Sequence, residues 1–195
     1  MSIISFSSSH EMRLGFSLLL LLFSLCGAMT TALNITALSS RNGYSVLECW
    51  QLASVPVDAM AAANYALGNT TVATWSTIKP RTTVGEAWAP HVQLSMILNG
   101  LIRITSPSPE SANSSDSITS INSSENSLRP ATTVAYIMPG TTKSSLLIAA
   151  DLRSTSHITG HYTEFPSDEP TVLIQVPFMD NLAPEHIVLH DGPCL

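Results

Sequence analysis

The chain has 195 residues and a net charge of −6, with 45% hydrophobic but only 11% charged residues. Globular proteins carry about 25% charge. The composition argues against an acidic disordered chain, a coiled coil and a nucleic-acid binder, since nothing basic is gathered to attract a phosphate backbone. Serine, threonine and asparagine supply the missing polarity, as in many secreted, sugar-bearing proteins.

The first element is an address. Arg13 precedes an apolar run from Leu14 to Cys26 that includes five consecutive leucines, and small residues follow. This is the order of a secretory signal peptide, and the run is shorter than the roughly 20 apolar residues a membrane span needs. Residues 1–32 are therefore read as a leader, cleaved after Ala28 or Ala32. The mature chain is expected to be secreted and extracellular, with no membrane association after cleavage. Four Asn-x-Ser/Thr acceptors, at Asn34, Asn69, Asn113 and Asn122, agree with export and glycosylation.

The body, residues 33–195, reads as one all-β domain. Tyr44 to Gln51 alternates with period two and holds Trp50. The alanine-rich piece Ala59 to Leu67 is the one helix candidate, with Gly68 to stop it. Thr71 to Ile78 is rich in β-branched residues around Trp75, which is expected in the core with Trp50. Val92, Leu94, Met96 and Leu98 alternate with Gln93, Ser95, Ile97 and Asn99. Asn99-Gly100 then predicts a type I′ hairpin turn into the alternating Ile102 to Thr105.

From Ser106 to Pro130 ten of 25 residues are serine and only four are apolar, a composition that cannot offset its ordering entropy. It is read as a disordered insertion between strands. Further strands are predicted at Thr132 to Met138, Ser145 to Asp151, Thr171 to Phe178 and Glu185 to His190. With the leader removed, Cys49 and Cys194 remain, and an oxidising compartment predicts a bridge between them.

Several segments together resemble a known family. Ala89-Pro90-His91-Val92-Gln93 leads into Met96 to Ile102. Pro139-Gly140, the apolar run Leu146 to Asp151, and Gly160-His161-Tyr162-Thr163 follow in order. These resemble shortened cupin motifs, and the closing segments are similar to small secreted cupin-like proteins of filamentous fungi. The resemblance implies a double-stranded β-helix, a jelly-roll barrel with a pocket in its mouth.

Many cupins hold a metal through three His and one Glu. Here His91-x-Gln93 offers one imidazole and an amide, a poor ligand for transition metals, and the Glu position falls among Met96, Ile97 and Leu98. A divalent metal would rest on His91 and His161 alone. The pairs His157/His161 and His186/His190 have a spacing that brings ligands together on a helix, whereas on a strand it leaves them about 13 Å apart. Glu164 is a candidate acid–base partner for His161. Trp88 and Gln93 are candidate ligand-binding residues, Trp88 through stacking on a sugar ring or an apolar group.

The chain is accordingly expected to be a non-catalytic extracellular binding or surface protein, with a small molecule or another surface as partner and no nucleic acid. The alternatives are a metal-dependent cupin enzyme, an oxygenase or isomerase using His91 and His161, and a fungal host-directed effector.

Overall fold

The computed structural model describes residues 32–110 and 131–195. Residues 1–31, the acceptors Asn113 and Asn122, and positions 111–130 of the serine-rich stretch lie outside the described residues. The described chain is mostly strand. In chain order the strands are β1 (Asn34–Arg41), β2 (Tyr44–Leu52), β3 (Val57–Ala59), β4 (Ala62–Asn64), β5 (Thr74–Ile78), β6 (Thr82–Ala87), β7 (Gln93–Asn99), β8 (Ile102–Pro107) and β9 (Thr132–Ile137). One helical turn, α1 (Thr142–Ser145), then precedes β10 (Leu146–Ala149), β11 (His161–Phe165), β12 (Thr171–Pro177) and β13 (His186–Asp191).

These strands form a seven-stranded sheet ordered β13-β2-β1-β10-β7-β12-β5, a four-stranded sheet ordered β6-β11-β8-β9, and the small hairpin β3-β4. Every pairing is antiparallel except β1 with β10. Both larger sheets are open. They face each other across a core of Leu38, Leu47, Ile97 and Leu147 from one sheet and Ile102, Ile104, Ala135, Ile137 and Phe165 from the other. Each fully buried Leu or Ile contributes about 1.5–3 kcal/mol.

The larger sheet is buried on its second face as well. Ile35, Ala37, Trp50, Leu52, Leu94 and Ile148 form a separate cluster there with Phe178. This burial on both faces explains why β1 and β2 read as nearly continuous buried runs. On that second face Glu48 is buried and accepts hydrogen bonds from Arg41 and from the indole Nε1 of Trp50, 2.8 Å away. Asp191 lies 3.0 Å from the same guanidinium. Burial works against the charge on Arg41, but the hydrogen bonds to Asp191 and Glu48 outweigh it and hold its pKa above the ordinary value.

The structure corrects several expectations. The alanine-rich piece is a strand hairpin, with Ala59 opposite Ala62 and positive φ at Met60 and Ala61. An exposed helix of nine residues has too few hydrogen bonds to offset nucleation. Asn64 instead donates its side-chain amide to the carbonyls of Val57, Ala59 and Ala62. Trp75 is 63% exposed, because β5 is the edge strand of the larger sheet and nothing in the described chain covers its outer face.

Asn99-Gly100 does not close a hairpin. Strands β7 and β8 belong to different sheets, and only Gly100 of the pair has positive φ. The two-residue Asn-Gly hairpin lies at Asn42-Gly43, where both φ are positive and Arg41 pairs with Tyr44. Strand β8 also runs to Pro107, so the serine-rich stretch begins within a strand and connects two paired neighbours, β8 and β9.

Cys49 on β2 is bonded to Cys194, with Cα atoms 4.7 Å apart and a sequence separation of 145. The Cys194 N–H donates to Thr36 Oγ1 at 3.0 Å, which seats the C-terminus against β1. Among the described residues no helix is long and apolar enough to cross a membrane.

Two substitutions test this framework. Gly100 has φ +82°, and a Cβ there would meet the Cα of Thr171 at 2.8 Å. Gly100→Ala should destabilise the protein by about 2–4 kcal/mol in urea unfolding, and an unchanged midpoint would contradict the corner described. Replacing both cysteines by serine removes a constraint on a long loop and should cost about 3–5 kcal/mol. Equal melting temperatures with and without reductant would show that the bridge contributes nothing.

Candidate functional site

The alternation of β7 decides where the site lies. Its apolar residues Leu94 and Met96 pack on the second face of the larger sheet, so its polar residues Gln93 and Ser95 turn into the space between the sheets. There they line a cavity of 260 Å³. In the ladders, Ser95 lies opposite Gln175 of β12, and Gln93 opposite Ala149 of β10. Strand β11 closes the cavity from the smaller sheet, with His161 opposite Ala87 of β6. Trp88 follows directly and lines the same cavity. The remaining wall is apolar, formed by residues such as Ile104, Leu147 and Phe165.

His161 is 8% exposed and is oriented by a carboxylate. Its Nδ1 lies 2.6 Å from Oδ2 of Asp151, which is fully buried just beyond β10. The same oxygen accepts the Ser45 hydroxyl at 2.6 Å. Asp151 Oδ1 is buried with no hydrogen-bond partner among the described residues. A carboxylate that already accepts a hydroxyl proton draws a second N–H, so the arrangement fixes both the plane of the imidazole and the nitrogen that carries its proton.

Gln93 is 6% exposed and lines the cavity, whereas the enclosed side-chain atoms without a hydrogen-bond partner among the described residues are Asp151 Oδ1 and Thr171 Oγ1. The amide of Gln175 accepts from Ser76 at 3.2 Å. The cavity therefore gathers a few polar groups, the Gln93 side chain and an oriented imidazole among them, in a largely apolar setting, the usual make-up of a small-molecule site.

The connection from Asp151 to Gly160 seats these groups. Ser156 is buried; its hydroxyl bonds Ser40, and its carbonyl accepts the Trp88 Nε1–H at 2.6 Å. The Arg153 guanidinium stacks over the Trp88 ring, 4.6 Å from its centroid. The Gly160 N–H donates to Glu86 Oε1 at 3.0 Å.

Of the residues singled out from the sequence, Gln93, His161 and Trp88 line one cavity, and His91 does not. His91 is exposed and lines a separate pocket beside Phe178 and Asn181. Strand alternation separates it from the cavity no better than it separates Gln93. The difference is that His91 precedes β7, in a segment whose Val92 N–H is held by the Asn181 side chain.

The donor set does not fit a cupin metal. His161 gives one nitrogen to Asp151, Gln93 offers an amide, and His91 faces elsewhere. Among the described residues no cluster of three or more His, Cys, Asp or Glu is placed to hold an ion. His157 and His190 are exposed, and His186 stacks on Trp50 at 3.5 Å. Glu164 pairs with Arg103 rather than with His161.

Asp151, Ser45 and Gln175 were not singled out in the sequence. Asp151 ends the motif segment Leu146 to Asp151, which was its one available signal. Asn34 is half-buried on β1 and accepts from Gln51, and Asn69 is exposed. Comparison of the chain with protein-family models, with curated proteins and with solved structures gives no match.

Gly160 provides a test of the site's packing. A Cβ there would stand 2.3 Å from the Ala87 carbonyl oxygen and 2.8 Å from the Trp88 ring. Gly160→Ala should cost about 3 kcal/mol and shift the Trp88 indole NMR signal. A variant with native stability and an unmoved indole would refute the close packing.

Proposed function

We propose that the chain is an exported, glycosylated, cupin-like jelly-roll protein that binds a small molecule between its sheets without transforming it. The observation that carries this reading is that the side chain of Gln93 and the oriented imidazole of His161 line one largely apolar cavity. A ligand seated in the cavity finds hydrogen-bonding groups on both residues and apolar wall around them.

The strand order supports the jelly-roll part. Eight consecutive strands, β5 to β12, divide between two four-stranded arrays, β5-β12-β7-β10 and β6-β11-β8-β9, the chain crossing from one to the other at every step except β8 to β9. That is the interleaving of two Greek keys in a double-sheet jelly roll. Strands β1, β2 and β13 extend the first array beyond β10. Export is supported by the leader-like residues 1–32, the glycan acceptors and the Cys49–Cys194 bridge. A metal-dependent reading built on His91 and His161 lacks support from the geometry, because the two imidazoles line different pockets.

The binding reading is tested by NMR screening of compact organic molecules against the intact disulfide-bonded protein. Ligands should perturb Trp88, Gln93 and His161 together, and Gln93→Leu should weaken polar ligands about tenfold or more while leaving the fold intact. A screen in which no compound perturbs the cavity residues would overturn the reading.

A further inference from the structure

The hydrogen-bond arrangement behind His161 specifies what the cavity asks of its ligand, and the inference rests on the binding role proposed above. An ionised carboxylate only accepts hydrogen bonds. Asp151 Oδ2 accepts the Ser45 hydroxyl and faces His161 Nδ1, so the proton of a neutral imidazole stays on Nδ1. The other nitrogen, Nε2, then carries a lone pair. Among the described residues nothing donates to it. The ring that lines the cavity thus presents an acceptor, while the amide of Gln93 on the same cavity wall carries N–H donors and a carbonyl.

We infer that the cavity selects a compact apolar molecule carrying one hydroxyl group, a phenol or an apolar alcohol. The hydroxyl proton goes to His161 Nε2, and the hydroxyl oxygen accepts from the Gln93 amide. A hydroxyl is the smallest organic group that donates and accepts through one atom, so it satisfies both residues at once. The size agrees, because a dry apolar cavity of about 150 Å³ accommodates benzene and this one measures 260 Å³. A single ring with one substituent fits, and a carboxylate does not suit the site, since it has no proton to give Nε2 and would lie close to the buried Asp151.

Two measurements on the intact protein test this. Long-range proton–nitrogen NMR at a pH where free imidazole is neutral should show His161 protonated on Nδ1 and bare at Nε2. A ring protonated at Nε2, neutral or cationic, overturns the inference without any ligand present.

Titration with phenol, cyclohexanol and the phenol isostere toluene, followed at Trp88 and His161, provides the second. At least one hydroxyl compound should bind about tenfold or more tighter than toluene, and whichever of phenol and cyclohexanol binds more tightly identifies the aromatic or aliphatic class. Equal affinities for all three would overturn the hydroxyl requirement while leaving a binding cavity in place. No binding by any of the three, in a protein whose Nε2 is bare, would overturn the cavity as a site for such ligands and the inference with it.

Discussion

A carboxylate buried away from water must be compensated, because its desolvation costs several kcal/mol even in a relaxed protein interior. Asp151 has no exposure at all, and its compensation comes from two distant parts of the chain, Ser45 on β2 and His161 at the start of β11. Those strands belong to different sheets. The requirement to satisfy one carboxylate therefore couples β2 of the larger sheet to β11 of the smaller sheet, behind the imidazole that lines the cavity. The position of His161, and with it the chemistry of the cavity, depends on that coupling.

The surrounding contacts reinforce the same junction. The Ser45 N–H donates to the Thr159 carbonyl at 2.8 Å, Ser156 anchors both Ser40 and the Trp88 indole, and Gly160 leaves room for Ala87 and Trp88. The connection between β10 and β11 is thus held by polar contacts rather than by a hydrophobic cluster of its own. Polar networks of this kind specify one arrangement when fully satisfied. Here one atom of the network, Asp151 Oδ1, is left without a partner among the described residues, behind the imidazole that lines the cavity.

Much of the β framework was legible because it depends on local pattern. Strands β2, β7, β9 and β12 were visible as alternation or β-branched runs, and the cysteine pair followed from subtraction of the leader. The failures have non-local causes. Asn-Gly reports a local turn preference, which closes a hairpin at Asn42-Gly43 but turns a corner between sheets at Asn99-Gly100, where Thr171 packs on the glycine. Trp75 looked like core because an edge strand and a central strand share one composition. At the site, Gln93 and His161 were legible through the family resemblance. The larger sheet is covered on both faces, so the polar face of β7 became the inner one. Asp151 and Gln175 acquire their roles only through partners far away in sequence.

The account stands on the enclosure of Gln93 and His161 within one cavity and on the tie between His161 and Asp151. A high-resolution crystal structure of the disulfide-bonded protein tests both at once. It should show the imidazole bonded to Asp151, and ordered density bridging His161 and the Gln93 amide across an apolar chamber. A closed or collapsed space between the sheets, or a His161 ring turned away from Asp151, would contradict it.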